Sequence, residues 1–383
     1  ENPKARKKWL TLSLCGNLGI LGIFKYFGFF ASSAEVFLAF LGFSPGWTTL
    51  NIVLPVGISF YTFQTMSYSL DIYAKKLAPT KSFIDLALFV GFFPQLVAGP
   101  IVRAAEFLPQ LATTRIWKRV DVRGALVLFL VGFIKKACIS DNIASVIDRY
   151  FSAPASYDVL SAWVGVTFAS VQVYCDFSGY SDMAIACAAL LGYQLRENFH
   201  FPFFARNITG LWRGWHMSLS SWLRDYLYIP LGGSRNNSEN DGIGFAVSLA
   251  AFFTFVCWVF VREDSEMTSG IAILLCLVFI MVAYLIGVRG QRATNRNLML
   301  TMLLGGLWHG AAWGYVIWGG LHGLGLILHK EWKSRKPRWG WLNLTLNGLG
   351  PFLTFWFWAL AYLFFRAAGE GENSLEVSRH ALD

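Results

Sequence analysis

Charged residues are scarce in this sequence. Of its 383 residues only 14% are Asp, Glu, Lys or Arg, whereas 55% are hydrophobic and 17% are aromatic. A soluble domain carries about 25% charged residues, so this chain lacks the polar surface needed to cover a water-soluble globule of its length. Stretches of about 20 mainly apolar residues, the length that crosses a bilayer, recur from end to end. The composition therefore predicts a membrane protein that crosses the bilayer many times.

Motifs for several common chemistries are also missing. The six cysteines form no C-x-x-C pair and have no histidine at ligand spacing, so we expect no metal site. No serine lies in a G-x-S-x-G motif, and no glycine loop resembles those that cradle phosphate. The net charge of +9 comes from Lys and Arg in short loops beside apolar runs. Such loops are typical of the cytoplasmic side of membrane proteins, and the pattern argues against nucleic-acid binding.

The order of apolar runs predicts an all-α fold, a polytopic transmembrane helical bundle formed by one membrane domain over residues 1–383. The chain opens on Glu1, and its basic start leads into an apolar run too long for a signal-peptide core. We therefore expect the first helices of the domain to be missing. Basic loops should lie on the cytoplasmic side. We expect a multi-pass protein of a cell (inner, or cytoplasmic) membrane.

Two apolar runs have basic loops at both ends and should therefore re-enter the membrane without crossing it. Phe83–Val102 contains Pro94, Gly99 and Pro100, which interrupt helices. Leu298–His329 would overshoot the hydrocarbon core as one straight helix, and its glycines allow a hairpin. Broken backbone at membrane depth is tolerated only inside protein or along a cavity, so these runs predict re-entrant helices.

The stretch Arg206–Gly233 is amphipathic. A helical wheel places Trp212, Trp215, His216, Leu219, Trp222, Leu223 and Tyr226 on one face and Arg213, Met217, Ser218, Ser221, Arg224 and Asp225 on the other. It carries too many charges to span, so we expect an interfacial helix that lies on the membrane or caps a cavity.

His309 is the strongest candidate for catalysis. It lies among apolar and glycine residues at the expected depth of the hairpin, where an ionisable group is costly and points to function. Histidine suits general-base work because its pKa lies near operating pH. The alternative is a core histidine that hydrogen bonds to a neighbouring helix. His216, on the apolar face described above, is the second candidate, and we expect both rings to face one cavity.

Other polar residues beside apolar runs are more ambiguous. Asp176 and Asp182, in VYCDFSGYSDMA, are predicted at the edges of apolar runs. They can line a water-filled cavity, orient a histidine or hydrogen bond to helix ends. For His322 the sequence favours a packing role, and for His329 it favours a position at the membrane interface. His200 lies in a loop.

Three segments together resemble a known family: YCDFSGYSDMAIA, FARNITGLWRGWHMSLSSWLRDYLYIPLGGSR and LLGGLWHGAAWGYVIWGGLHG. They are similar to the membrane-bound O-acyltransferase (MBOAT) family, in the branch of bacterial alginate O-acetylation and teichoic-acid D-alanylation proteins. The resemblance runs from about residue 9 to Arg366. It implies a ring of spanning helices around a funnel, with His309 as the catalytic residue of the W-H-G motif and His216 as its partner.

The resemblance implies an O-acyltransferase that acetylates hydroxyls of an exported polysaccharide, with membrane lipid around it. The donor would be acetyl-CoA or an acylated carrier, with no tightly bound cofactor. A periplasmic acetyltransferase-like protein or a carrier protein would be the partner. Asp176, Trp308, Trp215 and Arg213 are expected to contact substrate. Alternatives are transfer of D-alanyl or another acyl group from a carrier protein to a cell-wall polymer, a proton-coupled transporter, and a membrane scaffold.

Residues 236–294 depart from the family pattern. Two apolar runs, joined by the acidic turn REDSEM, replace a short basic loop. Two crossings return the chain to the side it left, so we expect an inserted transmembrane hairpin that leaves the core topology unchanged and adds nothing to the site.

Overall fold

The computed structural model describes residues 2–40, 42–43, 55, 57–96, 98–234, 292–335 and 340–380. In these ranges every regular element is a helix, which confirms the all-α prediction. The helices form two compact units, residues 1–205, 210–222 and 355–363, and residues 206–209, 223–354 and 364–383. The single domain stays a prediction, and the inserted hairpin lies outside the described residues except for positions 292–294.

Ten α-helices lie in the described residues before position 235: α1 (Pro3–Leu21), α2 (Phe27–Phe40), α3 (Ile58–Tyr73), α4 (Phe83–Val90), α5 (Ala104–Leu111), α6 (Val122–Phe133), α7 (Asp141–Ser152), α8 (Val159–Leu190), α9 (Ile208–Gly214) and α10 (Met217–Leu223). Wider π-helical turns occupy Gly22–Tyr26, Ile134–Ser140 and Arg224–Tyr228. The described residues from position 292 onward form α11 (Arg292–His309), α12 (Trp313–Arg335) and α13 (Gly340–His380).

Three described stretches are long and apolar enough to cross a membrane: Pro3–Ala39, Val159–Leu190 and Gly348–Gly369. The second corrects one sequence expectation, because Asp176 and Asp182, predicted at the edges of apolar runs, lie within the single 32-residue helix α8. Neither carboxylate therefore lies at an end of α8, and the roles expected of them stay predictions.

The predicted interruption of Phe83–Val102 is confirmed. Helix α4 has only 8 residues and spans about 12 Å, far less than the roughly 30 Å of a hydrocarbon core. A short 3₁₀ turn, Phe93–Gln95, follows it. The buried Gln95 side chain donates from Nε2 to the Phe89 carbonyl at 3.1 Å, so this carbonyl near the end of α4 has a partner inside the protein. This segment packs into an apolar cluster of Phe89, Phe92, Val102, Ala104, Phe107, Leu108 and Ala188.

Candidate active site

His309 lies at the tip of a helical hairpin in the second unit. It is the last residue of α11, and α12 begins four residues later at Trp313. Its imidazole is half-buried and meets three aromatic rings edge to face, with ring centroids 5.0 Å from Trp308, 5.2 Å from Trp318 and 5.0 Å from Phe365. The hairpin predicted for Leu298–His329 is therefore confirmed.

Glycines allow the two arms of this hairpin to touch. A Cβ atom on Gly319 would lie 3.2 Å from the Cα of Gly306 and would collide with the Met302 carbonyl oxygen on the opposite arm. A Cβ on Gly306 would collide with the Tyr315 carbonyl oxygen. Both positions accept only hydrogen, since close approach of backbones removes the space for any side chain.

The sequence of α11 sets how deep His309 lies. The first turns of α11 are polar, and the apolar part, residues 298–309, has a length of about 18 Å at 1.5 Å per residue. That is shorter than the roughly 30 Å of the hydrocarbon core, so an arm that starts at the surface ends within the membrane. His309 is therefore expected at depth, where ionisable groups mark function.

The structure changes the local geometry predicted for His216. The one continuous amphipathic helix predicted over Arg206–Gly233 is wrong, because α9 ends at Gly214 and α10 starts at Met217. His216 lies in the break with a positive φ of 44°, a left-handed conformation that non-glycine residues seldom adopt. Such strain is held only where surrounding structure determines it, and it concentrates at functional sites.

The buried face of this segment agrees with the helical wheel. Trp212, Trp215, Leu219, Trp222 and Leu223 are all buried, and the His216 side chain is 1% exposed. Two residues differ from the wheel. Ser218, placed on the polar face, is turned inward by the break and is buried, and Tyr226, placed on the apolar face, is half-buried.

The imidazole of His216 packs edge to face on Phe177, with centroids 4.6 Å apart. Its Nδ1 lies 3.2 Å from Oδ1 of Asn198, which is also buried. Burial lowers the pKa of His216 to about 3, so its ring is neutral at physiological pH. Asn198 was not predicted as a site residue, because a lone Asn in a loop gives no periodic or motif signal.

The predicted substrate contacts beside the histidines differ in their environments. Trp308 is buried next to His309. Trp215 is buried among aromatic rings, with centroids 5.1 Å from Phe199 and 4.7 Å from Trp358. Arg213 is exposed at the end of α9. Their contacts with substrate stay predictions.

Asp176 forms an ion pair within the first unit. Its Oδ1 lies 2.6 Å from Nζ of Lys136, and Asp182 pairs with Lys135 at 2.7 Å. Glycines again permit the contact: a Cβ on Gly132 would lie 2.6 Å from the Gly179 carbonyl oxygen, so α6 and α8 cross there with backbones in contact. The π-helical turn at Ile134–Ser140 carries both lysines at this crossing.

Helix α8 is long and apolar enough to cross a membrane, and we expect Asp176 to lie inside the hydrocarbon core. It is 17 residues after Val159 and 14 before Leu190, so any window of about 20 residues of α8 that crosses the core contains it. Yet the side chains of Asp176 and Lys136 are 41% and 36% exposed. Charged groups at such depth face protein or a water-filled cavity and not lipid. We therefore expect this pair to line a hydrated cavity.

A cysteine at position 176 tests this expectation. In a background without the six native cysteines, Asp176→Cys should react with a water-soluble, membrane-impermeant methanethiosulfonate. The reagent reacts with the thiolate form of cysteine, and a thiol ionises to a thiolate only where water reaches it. Phe168→Cys is the matched control on the same helix, since Phe168 is exposed to a similar extent, 44%, at an apolar position. Equal protection of both cysteines, measured by mass shift, would mean that Asp176 faces no water.

Three other histidines, His200, His322 and His329, occupy different environments. His322 is fully buried and its ring contacts Trp318, which also contacts His309. His329 is half-buried, with Nδ1 2.9 Å from Oγ1 of Thr209. His200 is 65% exposed and lies 3.2 Å from Glu197. His216 belongs to the first unit and His309 to the second, and the single cavity predicted for both stays a prediction.

Comparison with known proteins gives consistent similarities. Residues 74–263 match the model of the membrane-bound O-acyltransferase family. The chain is 37% identical to the "Probable alginate O-acetylase AlgI" of Azotobacter vinelandii, over 85% of this chain and 54% of that protein. It is 36% identical to the protein of the same name in Pseudomonas aeruginosa, over 95% and 58%. It is 33% identical to the "Peptidoglycan O-acetyltransferase" of Helicobacter pylori, over 98% and 65%. The chain thus spans between half and two thirds of these relatives.

Proposed function

Because this chain belongs to the membrane-bound O-acyltransferase family, we propose that it transfers acetyl groups to hydroxyls of an exported polysaccharide. The observation that carries the proposal is His309 at the tip of the α11–α12 hairpin, enclosed by three aromatic rings. The two kinds of relatives reported above are named for O-acetylation of alginate and of peptidoglycan, which supports the acetyl group and the polymeric acceptor.

His309 acts as the general base in this proposal. Its imidazole takes the proton of the acceptor hydroxyl while the oxygen attacks the carbonyl carbon of an activated acyl donor. A new C–O bond forms, and the bond between the carbonyl carbon and the leaving atom of the donor breaks. The imidazolium returns its proton to the leaving group, so the histidine is regenerated. General-base catalysis of this kind contributes about 10²- to 10⁴-fold in rate.

The aromatic rings around His309 support this role physically. Edge-to-face contacts from Trp308, Trp318 and Phe365 hold the imidazole in one orientation. A fixed base avoids the entropy cost of finding the reactive geometry, which is a major part of catalytic rate enhancement.

The donor, the partner and the location follow as further parts of the proposal. The donor is acetyl-CoA or an acylated carrier, and the exposed Arg213 at the end of α9 is available to an anionic donor group. Trp215, Trp308 and Asp176 contribute substrate contacts, and His216 positions donor or acceptor. The enzyme works in the inner membrane with a carrier protein or a periplasmic acetyltransferase-like partner.

The test is the acyl content of the polymer. A strain that lacks the gene should produce exported polysaccharide or cell-wall polymer without alkali-labile acetate, and the full-length gene should restore it. Release of D-alanine instead of acetate would assign the protein to D-alanyl transfer. Identical ester content in the deletion and complemented strains would overturn the proposed activity.

A further inference from the structure

Asn198 holds the side chain and the backbone around His216. Its Oδ1 lies 3.2 Å from Nδ1 of His216, and its backbone carbonyl accepts from the N–H of Met217 at 2.9 Å. Both side chains are 1% exposed. One residue from a distant loop therefore contacts both the ring of His216 and the strained break that carries it.

The orientation of the Asn198 amide is determined by its partners. Oδ1 lies 3.2 Å from the backbone nitrogen of Ser218, and an N–H donor requires an oxygen acceptor there. Oδ1 also accepts from Oγ of Ser218 at 2.9 Å. The amide nitrogen then points the other way and donates to Oγ of Ser181 at 3.0 Å. If the amide were flipped, its NH₂ group would face the backbone N–H of Ser218, and two donors cannot form a hydrogen bond with each other.

The amide orientation decides the tautomer of His216. Two polar atoms lie near its Nδ1: Oδ1 of Asn198 at 3.2 Å and Oγ of Ser218 at 3.4 Å. The Ser218 hydroxyl donates its proton to the amide oxygen at 2.9 Å, and an amide oxygen only accepts, so Nδ1 carries the proton of the ring. A neutral imidazole has one N–H, and its lone pair therefore belongs to Nε2.

We propose that Asn198 is a positioning residue that holds His216 as the Nδ1–H tautomer, so that Nε2 accepts a hydrogen bond from a substrate hydroxyl. This rests on the proposed acyl transfer and deepens it. A lone pair at Nε2 binds the O–H of an acceptor, whereas polarisation of a donor carbonyl would need an N–H at that nitrogen. His216 therefore recognises the acceptor alcohol.

Two substitutions of similar volume separate hydrogen bonding from packing. Asn198→Leu fills the space without an acceptor, and Asn198→Asp keeps an oxygen beside Nδ1. We expect acyl transfer by the full-length protein to fall about tenfold to a hundredfold in the Leu variant and to stay within about threefold of wild type in the Asp variant. Asn297→Leu is the matched control: Asn297 is equally buried, but its amide donates to the Gly233 carbonyl.

The tautomer can be measured without any substrate. In ¹⁵N-histidine-labelled protein in lipid nanodiscs, the His216 signals are identified by their loss in His216→Gln. Wild type should show a protonated Nδ1 and a lone-pair Nε2, and Asn198→Leu should shift the population toward Nε2–H.

The outcomes separate this inference from the proposed function. A wild-type ring protonated at Nε2 would overturn the assignment whatever the activity. Activity of Asn198→Leu equal to that of Asn297→Leu, per amount of folded protein, would also overturn it. A third outcome is also informative: wild-type protein could show the expected tautomer and yet acylate no polymer. That result would support the role of Asn198 toward His216 and would refute only the acyl-transfer proposal.

Discussion

His309→Ala should abolish polymer acylation while the protein still inserts and folds. The substitution removes the proposed base from a half-buried position, and the loss expected for such a group is on the order of 10²- to 10⁴-fold. His309→Gln, which keeps hydrogen bonding but cannot take up a proton, should lose activity to the same extent. The measurement is ester-linked acetate on the polymer of a deletion strain that carries each full-length variant.

Two controls make this result specific. The amount of variant in the membrane is measured by immunoblot, and its folding by size-exclusion chromatography in detergent. His200→Ala is the matched control substitution, because it also removes a histidine. His200 is largely exposed, and its contact with Glu197 is a surface ion pair that contributes little to stability. Wild-type acylation from His309→Ala, or an equal loss from His200→Ala, would refute the general-base assignment.

Gly319→Ala should destabilise the hairpin that carries His309. The added methyl would collide with the Met302 carbonyl oxygen and crowd Gly306, and backbone atoms cannot rotate away. Overpacking of this kind costs about 1–3 kcal/mol or more, which exceeds the roughly 1 kcal/mol that alanine gains over glycine in a helix. Displacement of the base by about 1 Å can reduce activity by about 10²-fold, so acylation should fall with stability.

Gly348→Ala provides the comparison. Gly348 is also helical, but no atom lies within 4 Å of the position that its Cβ would occupy. Thermal unfolding in detergent should therefore show a lower midpoint for Gly319→Ala and an unchanged or higher midpoint for Gly348→Ala. Equal midpoints would mean that the arms of the hairpin do not touch at Gly319.

The elements predicted best are those whose cause is local in the chain. Pro94 and Gly99 predicted the interruption after α4, and the glycines of Leu298–His329 predicted the turn that follows His309. Burial on the face of Trp212, Leu219 and Trp222 also followed from periodicity, because a helical repeat of 3.6 residues places them together whether or not the helix is continuous.

The elements predicted wrongly depend on contacts between distant parts of the chain. The break at His216 requires the loop residue Asn198 to accept the N–H of Met217, and no pattern within Arg206–Gly233 encodes that bond. A carboxylate normally ends an apolar run, which is why the sequence places Asp176 at the edge of one. Helix α8 continues through this position, where Asp176 pairs with Lys136 from another helix, a lysine that also contacts Asp141.

The sequence by itself determined the class of protein, the all-α fold, the hairpin of His309 and the buried face around His216, because composition, helix breakers and periodicity are properties of the chain. Only the tertiary structure decided the strained break at His216, the amide that holds its tautomer and the lysine partner of Asp176. These depend on hydrogen bonds and ion pairs between residues 18 to 40 positions apart, whose formation requires the packed helices.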